Sequence, residues 1–287
     1  MNTKSLFAFL FTAFAFAGAA APAYADRCPR LQVIGLTSDQ RLVQFRACKP
    51  SRVREIGPVS GLGGGDSTLV GIDFRPKDGL LYGVGNGGGI YTIDRTTGQA
   101  SFVSQLSVAL NGTFFGVDFN PAADRLRIVS DNGLQNLRHN VDAPTGGTTE
   151  DLGLTYTAPP TMPVPATGIA ASAYTNNDLT AMSPPNTGTT LFELDTNLNQ
   201  IAIQSPPNNG ILVATGQLGV DPGSAAGFDI YTWLGLDGMS IGNTGLASLS
   251  VSGATGLYSL DPLTGRALPL GPLGDALVVD IAIPLNQ

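Results

Sequence analysis

The chain has 287 residues, with 15 Lys and Arg against 22 Asp and Glu, a net charge of −7, 37 glycines, 20 prolines and one histidine. That length is enough for one large domain or two small ones with a sizeable core. An acidic chain with three lysines (Lys4, Lys49 and Lys77) and no basic run weighs against nucleic acid and anionic membrane as partners.

Lys4, the apolar run "LFAFLFTAFAFAGAAA" and the small-x-small site Ala23-Tyr24-Ala25 read as a signal peptide over residues 1–25, cleaved after Ala25. The run is about 16 residues, below the roughly 20 of a spanning helix, and Pro22 interrupts its end. The expectation is therefore an exported chain, periplasmic or extracellular, with no membrane span after cleavage. Its mature domain covers 26–287, and loss of Lys4 takes its net charge to −8.

Cys28 and Cys48 flank "LQVIGLTSDQRLVQFRA", two strands around the turn Ser38-Asp39-Gln40. Folding that hairpin brings its ends together, so an oxidising compartment favours a disulfide between them. A metal or redox pair would need C-x-x-C spacing or a partner histidine.

No stretch sustains helical periodicity, and the chain reads as all-β. One phrase recurs as "GIDFRPKDGLLYGV" from Gly71, "GVDFNPAADRLRIV" from Gly116 and, shortened, "GFDIYTWLGLDGMSI" from Gly227, with a degenerate copy, "GIAASAYTNNDLTAM", from Gly168. A turn of the Asp-x-x-Thr-Gly kind follows at Asp94–Gly98 and Asp261–Gly265, more loosely at Asp142–Gly146, and without the glycine at Asp195–Asn199. Asp bonds its own backbone two residues on, and Gly accepts the positive φ that closes a short hairpin.

The phrases start 45, 52 and 59 residues apart, which fits four short strands per unit and a β-propeller. Residues 31–62 hold only three strands, and "ALVVDIAIP" at 276–284 resembles the missing first one. Joining them closes the ring with strands from both ends and removes its open edges. Five blades follow: 31–62 with 276–284, then 69–106, 115–157, 167–218 and 226–273. A sixth unit hidden in a long insertion, a β-sandwich, or a pair of small β domains are the alternatives.

If each unit's strands are a to d from the axis outward, the b–c and d–a links share one end and the Asp-x-x-Thr-Gly turns join c to d at the other. The first end would carry "GLGGGDSTL", "VGNGGG", "SDNGLQN", "APPTMPVPATG", "SPPNTGTT" and "GNTGLASLSVSGATG", long polar loops on which a ligand is expected. "GVGNGG" at 83–88 matches G-x-G-x-x-G in form only, because a strand follows where a phosphate site needs a helix. His139 lies on a strand, where a satisfied core or edge histidine is the expectation. No G-x-S-x-G occurs. No cofactor is expected; the one metal with a case is calcium, through Asp66, Asp131 with Asn132, and Asp221, although none follows a calcium-loop pattern and Asx turns facing water are the preferred reading.

The chain resembles the bacterial exported proteins grouped as domain of unknown function 4394, with propeller-like repeats of the WD40 or NHL kind. The resemblance runs from about residue 31 to 285. It is carried by "GVDFNPAADRLRIVSDNGLQNLRHNVD", "AYTNN" at 173–177, "TTLFELDTNLNQIAIQSPPNNGILVATGQLGVD", "GFDI" and "GLYSLDPLTGRA". It implies a propeller, secreted or surface-associated, with no activity to carry over. It adds Asn136 and Arg138 as candidate site residues, with blade-to-blade hydrogen bonding the alternative role for the arginine.

Two functional classes remain. One is a non-catalytic binding or scaffold module for a glycan, peptide or envelope protein, through Asp66, Asn86, Asp131, Asn132, Asn136, Arg138 and Asp221. The other is an extracellular carbohydrate hydrolase or lyase with carboxylates at the propeller mouth. No catalytic residue can be named, which favours the first.

Overall fold

The computed structural model describes residues 30–143, 146–156, 164–177 and 188–287. The expected signal peptide and Cys28 lie outside them. The fold is a five-bladed β-propeller made almost wholly of antiparallel strands. Three strands of blade 1 come from the start of the chain: β1 (Gln32–Thr37), β2 (Arg41–Arg46) and β3 (Lys49–Pro58). Blade 2 is β4 (Leu69–Phe74), β5 (Leu81–Gly85), β6 (Gly89–Ile93) and β7 (Ala100–Gln105). Blade 3 is β8 (Phe115–Asn120), β9 (Arg125–Ser130), β10 (Asn136–His139) and β11 (Thr148–Glu150).

Two short strands, β12 (Thr155–Tyr156) and β13 (Val164–Pro165), precede β14 (Ile169–Tyr174), β15 (Leu191–Asp195), β16 (Gln200–Gln204) and β17 (Ile211–Gln217) of blade 4. Blade 5 is β18 (Pro222–Leu234), β19 (Ser240–Val251), β20 (Ala254–Leu260) and β21 (Ala267–Pro272). β22 (Val278–Ala282) returns to blade 1 and pairs antiparallel with β1, Gly35 opposite Ile281. The ring closes as the unequal end segments predict.

The recurring glycine has a steric reason. A Cβ at Gly71 would lie 2.5 Å from the Val117 side chain, and one at Gly227 2.6 Å from the Cα of Asp280, both on the next blade. Inner strands approach too closely there for a side chain. The Asp-x-x-Thr-Gly turns close as expected: Asp94 Oδ1 accepts from the Thr96 N–H, Asp261 Oδ1 from the Leu263 N–H, and Gly98 and Gly265 take φ of 78° and 74°.

Three expectations fail in detail. Asp195–Asn199 joins β15 to β16, the second and third strands, because Tyr174 pairs directly with Leu191. The connection containing "SPPNTGTT" therefore links the first strand of blade 4 to the second and belongs to the opposite end; its residues 183–187 lie outside the described residues. Thr155–Tyr156 leaves blade 3 and pairs parallel with Ile211–Leu212, giving blade 4 six strands. "GNTGLASLSVSGATG" is strand rather than loop: Leu246 and Leu249 are buried in β19, and only Ser252–Gly253 turn. Glycine and serine content obscured a strand whose register is set by its apolar residues.

Apolar cores fill the five gaps between neighbouring blades. Among the described residues the gap between blades 3 and 4 has the smallest, with six buried apolar residues against 11 to 14 elsewhere. Polar side chains occupy the space there.

Candidate functional site

The inner strands put a carboxylate ring around the axis. An inner strand leaves one edge of N–H groups without a strand partner, and a buried N–H needs an acceptor. The Asp of each Gly-x-Asp phrase, and Asp280 of Val278-Val279-Asp280 on β22, supplies it. Asp73 accepts from its neighbour Phe74 and from Phe119 on the next blade, both at 2.7 Å. Asp229 accepts from Ile230 and from Ile283, and Asp280 from Ile281 and Ile72. Asp118 accepts one bond, from Tyr174 at 3.1 Å. At the corresponding place in blade 4 the chain has Ala173, and the largest apolar core fills the gap that follows.

Asp73, Asp118 and Asp229 bring carboxylate oxygens within 4.8 Å of one another, all three side chains buried. Burial first, and the neighbouring carboxylates second, push the carboxyls of Asp73 and Asp118 well above the ordinary range. Burial raises Asp280 well above it too, and Asp229 to about 7. The ring is thus partly protonated at neutral pH.

A second polar cluster lies between blades 3 and 4. Arg127, on β9, is among the most deeply buried large side chains. Its guanidinium donates to Asn136 Oδ1 at 2.5 Å, Asp151 Oδ2 at 2.8 Å and Asn208 Oδ1 at 3.0 Å. Arg138 donates to both oxygens of Asp151, at 2.6 and 2.9 Å. Asn136 also donates to the carbonyls of Leu152 and Pro207, both at 2.9 Å, so it ties blade 3 to the turn between β16 and β17. Glu193, wholly buried on β15, accepts from Ser172 Oγ, and burial raises its carboxyl to about 8. Glu193 Oε1 and Gln204 Oε1 are buried acceptors without a partner on the same face of blade 4.

These side chains frame a cavity of about 230 Å³, lined by Asn120, Ala123, Arg125, Arg127, Arg138, Tyr174, Pro207 and Asn208. It sits beside the turn between β8 and β9, at the end away from the b–c turns. Asn136 and Arg138 were legible in the sequence. Arg127 and Arg125 sit inside a repeat phrase and read there as scaffold.

The other candidates bind their own loops. Asp66 accepts from the N–H groups of Gly87 and Gly89 and from Tyr91 Oη, and Asn86 Oδ1 accepts from Ser67 and Thr68. Asp131 Oδ1 accepts from the Thr113 N–H, Asn132 donates to the Asn111 carbonyl, and Asp221 accepts from Asn199 Nδ2 at 3.0 Å. Each contact fastens a b–c turn to the adjacent d–a link. The fold places Asp66 and Asp221 in two different blade-to-blade links and Asp131 in the β9–β10 turn of blade 3, rather than in one cluster. His139 is fully buried between Ser104 Oγ at 2.9 Å and Thr148 Oγ1 at 3.0 Å, and burial lowers its imidazole to about 4. "GVGNGG" is the end of β5 and the turn that leads into β6.

Five antiparallel blades around a carboxylate-lined axis, four of four strands and one of six, define a small β-propeller. The chain belongs to the family described as "Domain of unknown function (DUF4394)", which matches residues 41–282. No curated protein matches it. Among solved structures it is similar to a structural-genomics protein of unknown function from Bacteroides thetaiotaomicron VPI-5482, at 15% identity and a TM-score of 0.48. The alignment covers 90% of this chain and 64% of that one, so the chain spans about two thirds of that relative's length. A protein of unknown function from Bacteroides caccae aligns at 10% identity and a TM-score of 0.44, covering 90% of this chain and all of that one. A chain of a nidogen/laminin complex aligns at 9% identity and a TM-score of 0.47, covering 90% of this chain and 99% of that one.

Proposed function

We propose that this is an exported, non-catalytic binding or scaffold module whose partner is a glycan, a peptide or an envelope protein. The observation that supports it is the use of polar side chains: Asp66, Asn86, Asp131, Asn132 and Asp221 fix the b–c turns and d–a links to one another, which gives a rigid surface rather than a mobile reactive site. A disulfide between Cys28 and Cys48 belongs to the same reading, since Cys48 sits at the β2–β3 turn of blade 1.

One observation favours the carbohydrate-cleaving alternative. Asp73, Asp118 and Asp229 lie close together with raised carboxyl values, as a paired-carboxylate mechanism requires. Their exposures of 3, 1 and 1% keep a sugar ring from reaching them, and their oxygens hold inner-strand N–H groups, so the binding role is preferred.

The test is thermal melting of the mature chain with oligosaccharides, cell-wall fragments, peptides, calcium and chelator, run beside a reducing-end assay. A ligand at about 100 times its dissociation constant adds roughly 2.7 kcal/mol of stability. A saturable shift without turnover supports binding. Release of reducing ends that is lost in Asp118→Asn would replace it with the enzymatic reading.

A further inference from the structure

We propose that the cavity between blades 3 and 4 binds a small oxyanion group, a carboxylate, sulfate or phosphate, through Arg125 and Arg138, with Arg127 at its base. The proposal narrows the binding role above to one ligand chemistry at one place.

The argument starts from charge. In a chain of net charge −7 this cavity is lined by three arginines and no carboxylate. The carboxylates behind it do not balance them. Asp151 is shared between Arg127 and Arg138. Asp124, next to Arg125 in sequence, has its carboxylate on Arg75 and Lys77. Glu193 is held protonated by burial at neutral pH. Three guanidiniums thus face one carboxylate, and two positive charges are left over.

Donor geometry points the same way. Arg125 Nη1 reaches only the carbonyls of Ala123 and Asp124, and Arg138 uses Nε and Nη2 on Asp151. The remaining N–H groups of both forks have no acceptor among the described residues. A guanidinium fork matches a planar or tetrahedral oxyanion and bonds it bidentately. Arg127 is pre-positioned by Asn136, Asp151 and Asn208, so its field at the cavity base costs no reorganisation on binding. At about 230 Å³ the cavity is below the size of drug-like sites, which fits a single charged group or a small acid. Exposed Ala123 and Asn208 border its mouth.

The experiment is calorimetric titration of the full mature chain in low-chloride buffer with sulfate, inorganic phosphate and glucuronate, with glucose as the neutral control. Arg125→Gln and Arg138→Gln are compared with wild type, and Arg127 is left intact because its buried guanidinium also holds Asn136 and Asn208. The expected result is saturable binding of at least one oxyanion and none of glucose, weakened at least about tenfold in each variant, which corresponds to 1.4 kcal/mol. Unliganded melting should be close to wild type. Preference for glucuronate would identify an acidic sugar as the source, and preference for sulfate or phosphate a mineral or ester group. No oxyanion binding, or binding equal in wild type and both variants, overturns the proposal. Binding of a neutral glycan or peptide without any oxyanion would overturn it while leaving the binding role standing.

Discussion

Asp73 and Phe119 sit on neighbouring inner strands, and the carboxylate of the first accepts the backbone N–H of the second at 2.7 Å. The same relation recurs from Asp118 to Tyr174, from Asp229 to Ile283 and from Asp280 to Ile72, so four of the five blade junctions are bonded at the axis by one side-chain type. Asp73→Ala leaves the Phe74 and Phe119 amides unpaired in a buried setting. Each orphaned group costs about 1–3 kcal/mol. Relief of repulsion with Asp118 and Asp229 offsets part of that. Urea unfolding should therefore show a net loss for Asp73→Ala.

Asp118 is the exception among the four. It accepts one N–H where the other three accept two, so its second oxygen can carry hydrogen without breaking a backbone bond. Asp118→Asn keeps the acceptor for Tyr174 and removes one like charge. The variant should be more stable than wild type at pH 8 and nearly equal at pH 4.5, by urea midpoint at the two pH values.

The pH dependence of the whole protein follows from the sign of these shifts. A carboxyl whose value is higher in the folded state binds more protons folded than unfolded, so its stabilising effect is complete below its unfolded value near 4 and is lost as pH rises through the folded value. Asp229, at about 7, and Glu193, at about 8, place that loss between pH 4 and 8. His139, lowered to about 4, acts oppositely: protonating it in the unfolded chain costs stability as pH falls from 6.5 to 4. Several carboxyls outweigh one imidazole, so the melting temperature should fall from pH 5 to pH 8. Glu193→Gln should flatten the upper part of that curve. A melting temperature that rises steadily from pH 5 to 8 would contradict this account of the ring.

Arg75 makes a different junction between blades 2 and 3. It is 3% exposed and donates to Asp124 at 2.6 and 2.7 Å and to Asp142 at 2.7 and 2.8 Å. Removing one member of a buried pair costs about 3–5 kcal/mol, because the other charge is left without compensation. Arg75→Ala should lose about that much. Asp142→Asn should lose much less, since Asp142 is 48% exposed and Asp124 still holds the arginine. Chemical unfolding of the two variants side by side measures the difference.

The sequence carried the repeat and not its detail. Gly71, Gly116 and Gly227 mark inner strands because backbone approach forbids a side chain, and such a constraint is visible in one sequence as a recurring residue. The aspartate two residues later recurs just as plainly, yet its role depends on which N–H of the next blade faces it, a relation between residues about 50 positions apart. Blade 4 was misread where Ala173 replaces that aspartate and Asp195 imitates the c–d turn of its neighbours. The arginine cavity was half legible, since Arg138 stands in a distinctive phrase while Arg125 and Arg127 are brought to it by packing of blade 3 against Tyr174 and Asn208.

Ring closure gives the last prediction. β22 brings Val278, Ile281 and Ala282, with Ile283 just beyond, into buried positions and carries Asp280 to Ile72. Burying a Val or Ile side chain contributes about 1.5–3 kcal/mol. Losing three of them approaches the 5–15 kcal/mol that hold a typical domain. A chain ending before Val278 should therefore be unfolded by circular dichroism, and Ile281→Ala should cost about 2–5 kcal/mol. The covalent break itself is a separate matter. Gln287 Nε2 donates to the Gln32 carbonyl at 2.9 Å and its Oε1 accepts from the Gln32 N–H at 2.7 Å, so the two ends of the described chain are adjacent. A circular permutant that joins Gln287 to Arg30 through a short Gly-Ser linker, opened between Gly219 and Val220 in the blade 4 to blade 5 link, builds every four-stranded blade from one continuous run. It should fold with a urea midpoint at or above that of the natural order. A permutant that fails to fold would mean that the order in which blade 1 is assembled, and not only its final pairing, is required.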